Sequence, residues 1–195
     1  MLIIYGLGNN ESKYLQTKHN AGRFLLEILV KKLSLEWERH SEFVFCKSNS
    51  FGFPIYFLYS SGYINHSGQA LSSFINYFKF KPDHLLKILL LHDDSDQQEN
   101  NIKLVCNGGS GGHKGIDSIY QHLLSFKMTT DRIWRLKIGI RPSQNKHRSE
   151  TFVLSRLKDS EIQYLIKLSD RLYQYLGDMA KGNFIKVQND LNIKY

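Results

Sequence analysis

The strongest constraint on this chain is an alternation of short apolar runs with stretches of helical periodicity. The stretches "LIIYGLG" (2–8), "EFVFCKS" (42–48), "PIYFLYS" (54–60), "KILLLHD" (87–93), "IKLVCN" (102–107) and "RLKIGI" (135–140) are short apolar runs that read as strands. Between and after them, "NAGRFLLEILVKKL" (20–33), "SGQALSSFINYFKF" (67–80), "KGIDSIYQHLLSF" (114–126) and "SEIQYLIKLSDRLYQYLGDMA" (160–180) carry the spacing of amphipathic helices. Strands separated by helices of this length predict an α/β fold: a three-layer α/β/α sandwich on a mixed, mostly parallel twisted sheet. With 195 residues, one domain spanning 1–195 is expected, its C-terminal helices from about 158 packed on the body.

Hydrophobic content of 42% and charged content of 23% are those of a globular chain with a full core. No apolar run approaches the roughly 18 residues that span a bilayer, and "MLIIYGLGNN" lacks the basic leader of a signal peptide. A cytoplasmic protein without a membrane partner is the expectation. Cys46 and Cys106 lie in strand-like stretches without metal-ligand spacing and should be reduced and buried. The net charge of +8 is uneven. Lys127, Arg132, Arg135, Lys137, Arg141, Lys146 and Arg148 face a single acid, Asp131, between residues 127 and 148, a basic stripe suited to a polyanion such as RNA. Within it, Pro142 and the polar run 143–150 mark the one long loop, a candidate lid.

In such a sheet, ligands gather beyond the carboxyl ends of strands. Three strands end in suggestive chemistry: Gly6-Leu7-Gly8-Asn9, His92-Asp93-Asp94, and "NGGSGGHKG" (107–115). Asn65 precedes a helix start in "YINHSGQAL" (63–71). In "TKHNAGRFLLEIL" (17–29), Asn20 is placed to cap a helix, with His19 just outside. A positive helix terminus would lower the imidazole's pKa and keep it a neutral proton acceptor. Asparagines at strand ends can bond an amide or ester at any pH, and Asp93 could fix a histidine's tautomer.

These pieces, in this order and at these spacings, resemble the bacterial-type peptidyl-tRNA hydrolases. "GLGN", "KYLQTKHNAGRFLLEIL", "YINHSGQAL", "LLLHDDSD", "GGSGGHKGIDSI", "RLKIGI" and "FVLSR" carry the likeness from about residue 2 to residue 157, and it continues more faintly through the C-terminal helices. The resemblance implies a cofactor-free, metal-free monomer that cleaves the ester between a peptide and its tRNA. By position, His19 matches the histidine that activates water and Asp93 the carboxylate that holds it. Asn9 and Asn65 match substrate-binding amides, Tyr14 and Tyr63 aromatic substrate contacts, and Arg135 a basic position that holds tRNA phosphate. The chain also departs from the family. Lys114 stands where an asparagine usually binds substrate and water, Asn10 and Glu11 replace a proline and glycine, and Ile64 replaces a methionine. A tRNA-contacting lysine appears as Val105, with Lys103 two residues away on the same strand face.

Two other readings compete. Gly108-Gly109-Ser110-Gly111-Gly112 satisfies G-x-S-x-G, which would make Ser110 the nucleophile of a serine esterase, with His122 or His147 and Asp117 or Asp131 as partners. Alternatively, the chain is a catalytically inactive RNA-binding relative, a reading that Lys114 and Val105 encourage and that His19, Asn20, Asn65 and Asp93 together oppose. His40, His66, His84, His92, His122 and His147 carry no assigned chemistry, and His113 is expected to shape the glycine-rich entrance loop. The segment after Gly182 reads as a short helix that covers the site or packs on the body.

Overall fold

A computed structural model describes residues 1–81, 87–142 and 150–192. The strands are β1 (Leu2–Gly6), β2 (Glu38–Arg39), β3 (Phe43–Ser48), β4 (Ile55–Ser60), β5 (Lys87–Gln98), β6 (Ile102–Cys106) and β7 (Ile133–Arg141). They form one sheet in the order β2-β3-β4-β1-β5-β7-β6. β4, β1, β5 and β7 are mutually parallel, and antiparallel pairings of β3 with β4, β2 with β3 and β6 with β7 complete a mixed sheet in which β3 and β6 run against the rest. All five residues of β1 and all six of β4 are buried, which is why these strands read as continuous apolar runs rather than alternating ones.

The helices are α1 (Ala21–Lys32), α2 (Ser67–Tyr77), α3 (Lys114–Leu124), α4 (Glu150–Val153), α5 (Asp159–Ala180) and α6 (Phe184–Leu191). From β1 the chain moves one way to β4; from β4 it reverses over β1 to β5, and continues that way to β7. Right-handed crossovers in opposite directions place α1 on one face and α2 and α3 on the other. Accordingly α1 packs with α5, and α2 with α3. The reversal splays the loops that leave β1, β4 and β5, opening a crevice around the end of β1.

The approach of α1 to the sheet depends on Gly22, where a Cβ would stand 2.0 Å from Leu91 O. Without that side chain the helix start seats directly on β5. On the opposite side, Phe74, fully buried, meets Phe43, Phe45, Tyr56 and Phe78 between β3, β4 and α2, while Tyr77 is exposed. The aromatic content of this region is core.

At the other edge, α6 answers the open question about the C-terminal segment: it packs on the body. Phe184 stacks on Trp134 at 4.8 Å, and Asn192 and Gln188 satisfy the backbone of edge strand β6, with Leu104 N donating to Asn192 Oδ1 at 2.7 Å and Leu104 O accepting from Gln188 Nε2 and Asn192 Nδ2. Edge groups left open would template pairing with another chain. Two cysteine expectations divide. Both thiols are free, and Cys46 is buried with its pKa pushed up to about 12 by burial and, secondarily, Glu38. Cys106, the last residue of edge strand β6, is half-buried instead.

Candidate active site

The crevice is built first by an asparagine clamp. Asn20 is at the start of α1 but makes no side-chain cap, contrary to the sequence expectation. Its amide instead reads both backbone groups of Asn9: Asn9 N donates to Oδ1, and Nδ2 donates to Asn9 O, each at 2.8 Å. A 3₁₀ turn, Lys18–Asn20, leads into the helix, so its first N–H groups do not need that cap. Arg23 adds bonds to Asn9 O and Asn10 Oδ1, and Asn10 reaches the Ser61–Gly62 turn through its amide and its N–H. This is how the turn is made without the proline and glycine. Asn9 Oδ1 accepts from Ile64 N at 2.9 Å, which leaves its NH₂ as the group available to a substrate carbonyl.

At the centre, His19 Nδ1 faces Asp93 at 3.0 and 3.1 Å from the two carboxylate oxygens. With Nδ1–H donated to Asp93, Nε2 holds the lone pair. Asp93 is 4% exposed. It is not at the end of its strand, as the sequence suggested, because β5 continues to Gln98; it lies beyond the end of β1, whose last pairing is Gly6 with Leu91. The neighbour's early termination exposes Asp93 to the crevice. The other surprise is His113, whose Nε2 lies 3.0 Å from Asp93 Oδ1 while its Nδ1 accepts from Gly115 N and Ile116 N at the start of α3. Two backbone donors at Nδ1 put the ring proton on Nε2, so His113 donates to Asp93.

Burial pushes the His19 pKa down, but the charge and hydrogen bond of Asp93 outweigh it, and with a smaller opposing push from Lys114 the net shift is upward. The expectation of a lowered value is corrected: a partner carboxylate outweighs any effect of the helix terminus. Asp93 is likewise pushed up by burial but held well below the usual carboxylate range by His19 and His113. His92, wholly buried, is driven down to about 3 by burial and by His113, and its Nδ1 donates to Asp93 O at 2.7 Å. It is thus a neutral structural brace.

His19, Asp93 and His113 also have the donor types of a metal site, with ligand atoms within 4.8 Å of one another. The tautomer argues against that use. His113 could ligate through Nε2 only by giving up its single ring proton while Nδ1 still accepts two backbone N–H groups.

These side chains floor a cavity of about 470 Å³. One wall carries the Asp94–Lys137 ion pair, 2.5 Å, and another is apolar, from Ile64, Pro142 and Phe152 to Leu154. The glycine-rich loop forms the rim, with positive φ at Asn107, Gly108, Gly111 and Gly112. Arg135 is 4% exposed and donates to Asn107 O and Gly109 O, both at 2.8 Å. That geometry does not suit the expected contact with tRNA phosphate; the guanidinium shapes the loop. A Cβ at Gly108 would meet Arg135 Nη2 at 2.9 Å, so loop and arginine fit as a unit. Within the basic stripe, Arg135 is internal and Lys137 is ion-paired, while Lys127 is exposed and Arg132 and Arg141 are half-buried; Lys146, Arg148 and the candidate lid at 143–149 lie outside the described residues.

Lys114 is exposed at the cavity mouth, where it acts electrostatically on His19. Tyr63 is 47% exposed and bonds Glu11, Tyr14 is half-buried under Lys13, and Asn65 and Lys103 are exposed, the latter on β6. Neither these four nor Asn9, which is 6% exposed, lines the cavity itself. Ser110 does, but its Oγ accepts from Gly112 N, and His122 Nδ1 is committed to Ser118 O. His147 is outside the described residues, so no esterase triad assembles among those described.

The profile of the family described as peptidyl-tRNA hydrolase matches residues 3–195. The chain belongs to that family. Peptidyl-tRNA hydrolase from Coxiella burnetii is 30% identical over 192 residues, covering 97% of this chain and 96% of the relative, and that of Lactobacillus gasseri is 35% identical over 183 residues. A crystal structure of peptidyl-tRNA hydrolase from Acinetobacter baumannii superimposes with a TM-score of 0.83 at 28% identity, covering 98% of this chain and 94% of that one. The peptidyl-tRNA hydrolase match runs through α5 and α6, beyond the stretch where the motifs are dense. Among the described residues, no helix is long and apolar enough to cross a membrane.

Proposed function

We infer that this member of the peptidyl-tRNA hydrolase family cleaves the ester joining a peptide to tRNA with His19 as general base. The observation that carries this reading is the His19–Asp93 pair at the floor of the cavity, with Nδ1 engaged and Nε2 free to take a proton. A water held by Nε2 attacks the ester carbonyl carbon, and His19 takes its proton. Asp93 stabilises the imidazolium, and that proton then goes to the departing ribose oxygen as the ester C–O bond breaks. Free peptide acid and tRNA with a free ribose hydroxyl result. The NH₂ of Asn9 and the ammonium of Lys114 are the donors for the substrate carbonyl and its oxyanion. Tyr14, Tyr63 and Asn65 line the approach to the cavity as contacts for the peptide and the acceptor end. Exposed Lys103 and half-buried Arg141 supply sequence-independent attraction to phosphate. The protein acts as a single cytoplasmic domain, a monomer without a cofactor, returning tRNA to translation.

The test is hydrolysis of an N-acetylated aminoacyl-tRNA by the wild type and His19→Ala, with unblocked aminoacyl-tRNA as control. The wild type should prefer the blocked substrate, and the variant should lose about 10²–10⁴ in kcat. An inactive, folded wild type that still binds tRNA would favour the binding-only alternative, which leaves a buried carboxylate oriented on His19 without a purpose.

A further inference from the structure

Lys18, the residue before the base, points inward and is 2% exposed. Lysine is seldom buried unless its charge is matched. The match is Glu161, buried in the first turn of α5, which accepts a hydrogen bond from Lys18 Nζ. The same ammonium lies 3.4 Å from Ile140 O on β7 and 5.1 Å from the centroid of the Phe152 ring, part of the cavity's apolar wall. Glu161 is fixed in turn, its other oxygen accepting from Lys158 N at 2.8 Å. Backbone bonds run alongside: Lys18 N to Ser155 O, Leu157 N to Gln16 O, and the Thr17–Arg156 bridge. One buried charge therefore joins the turn carrying His19, the end of β7, the wall at Phe152 and the start of α5.

Such a pair is a weak source of stability, because desolvating two ions offsets most of their attraction. What it supplies is direction, since N–H donors accept only a narrow range of angles and apolar contacts permit sliding. The His19 ring must meet Asp93 on one side and the substrate water on the other, and its backbone sets both. We propose that Lys18 is a positioning residue for the hydrolytic reaction: its bond to Glu161 fixes the Thr17–Asn20 turn against α5 and so holds His19 in register with Asp93. This rests on His19 being the base, which loss of activity in His19→Ala tests independently.

The decisive variant is Lys18→Met combined with Glu161→Leu, which removes both charges and leaves no buried ion unpaired, so the fold is retained. Its kcat should fall about 10- to 100-fold with KM changed less than about threefold, as expected when a reacting group is displaced by a fraction of an ångström to an ångström. The acid limb of its pH–rate profile should move to lower pH, because a misaligned Asp93 bond raises the His19 pKa less; the other titratable groups facing His19, Lys114 and His113, are unaltered. Lys18→Arg, which keeps a charged donor, should retain kcat within about threefold. A double variant with wild-type kcat and pH profile would overturn the proposal. Should it not fold, Lys18→Gln combined with Glu161→Gln, likewise without a buried ion, takes its place with the same readouts: weakened alignment must still lower kcat and shift the acid limb, and an unchanged profile would count against the proposal.

Discussion

At the scale of single residues, the chemistry of the site is set by what surrounds one imidazole. Three effects act on His19: burial and Lys114 push its pKa down, and Asp93 raises it to a net value above the ordinary range of about 6.5. The base works only when neutral, so activity should fall as pH drops through that raised pKa. Asp93→Asn removes the one raising influence and leaves the two lowering ones. Its acid limb should therefore lie below that of the wild type, with a plateau rate about 10²–10⁴-fold lower because the tautomer is no longer enforced. A pH–kcat profile of both proteins checks the sign. Lys114→Asn acts the other way, removing a positive charge and moving the acid limb to higher pH; an unchanged or lowered limb would mean that Lys114 does not act on the base. Much of this was legible in the order of residues, since His19, Asn9 and Asn65 stand at strand and helix ends and Asp93 follows the apolar run of β5. Lys18 was not. It reads as an ordinary surface lysine, and its partner is 143 residues away.

At the scale of elements, close approach decides where the functional groups land. The start of α1 rests on β5 because Gly22 has no side chain, and the turn bearing His19 is delivered to Asp93 by that contact. Gly22→Ala should be destabilising by about 1–3 kcal/mol through overpacking against a carbonyl that cannot yield. Denaturant unfolding measures the stability, and a parallel loss of kcat would show that the helix shift reaches His19. The six strand and four helix assignments from the hydrophobic pattern match the observed elements in kind, while β5 runs past its expected end. Its extension is polar, "DSDQQ" (94–98), and is held as strand by pairing with β7 rather than by any apolar signal. Arg135 shows the same limit. Its place beside a glycine-rich segment is visible in sequence only as two distant features, and folding turns a supposed phosphate contact into the support of the loop.

At the scale of the whole molecule, the last helix completes the sheet. Phe184 is 1% exposed against Trp134, and the side chains of α6 satisfy the backbone of β6 where no further strand exists. Phe184→Ala should cost about 3–5 kcal/mol, read as a lower denaturant midpoint with an unchanged slope. A chain ending at Gly182 should lose stability further and self-associate through the uncovered edge, which sedimentation of the truncated and full-length proteins will distinguish. The proposed monomer thus depends on a helix far from the cavity.

The sequence by itself determined the class of fold, because hydrophobic pattern is a local property: a short continuous apolar run in a buried strand, a repeat of 3.6 residues in a helix. It also determined the chemical types available at the strand ends, since a histidine, a carboxylate and neutral amides keep their identities wherever the chain goes. Only the tertiary structure decided their partners. Asn20 holds Asn9 instead of capping its helix, His113 joins His19 on one carboxylate, Arg135 turns inward, and Lys18 finds Glu161. Each is a contact between residues remote in the chain, whose strength depends on distance and burial, and those quantities come into existence when the sheet brings its loops together.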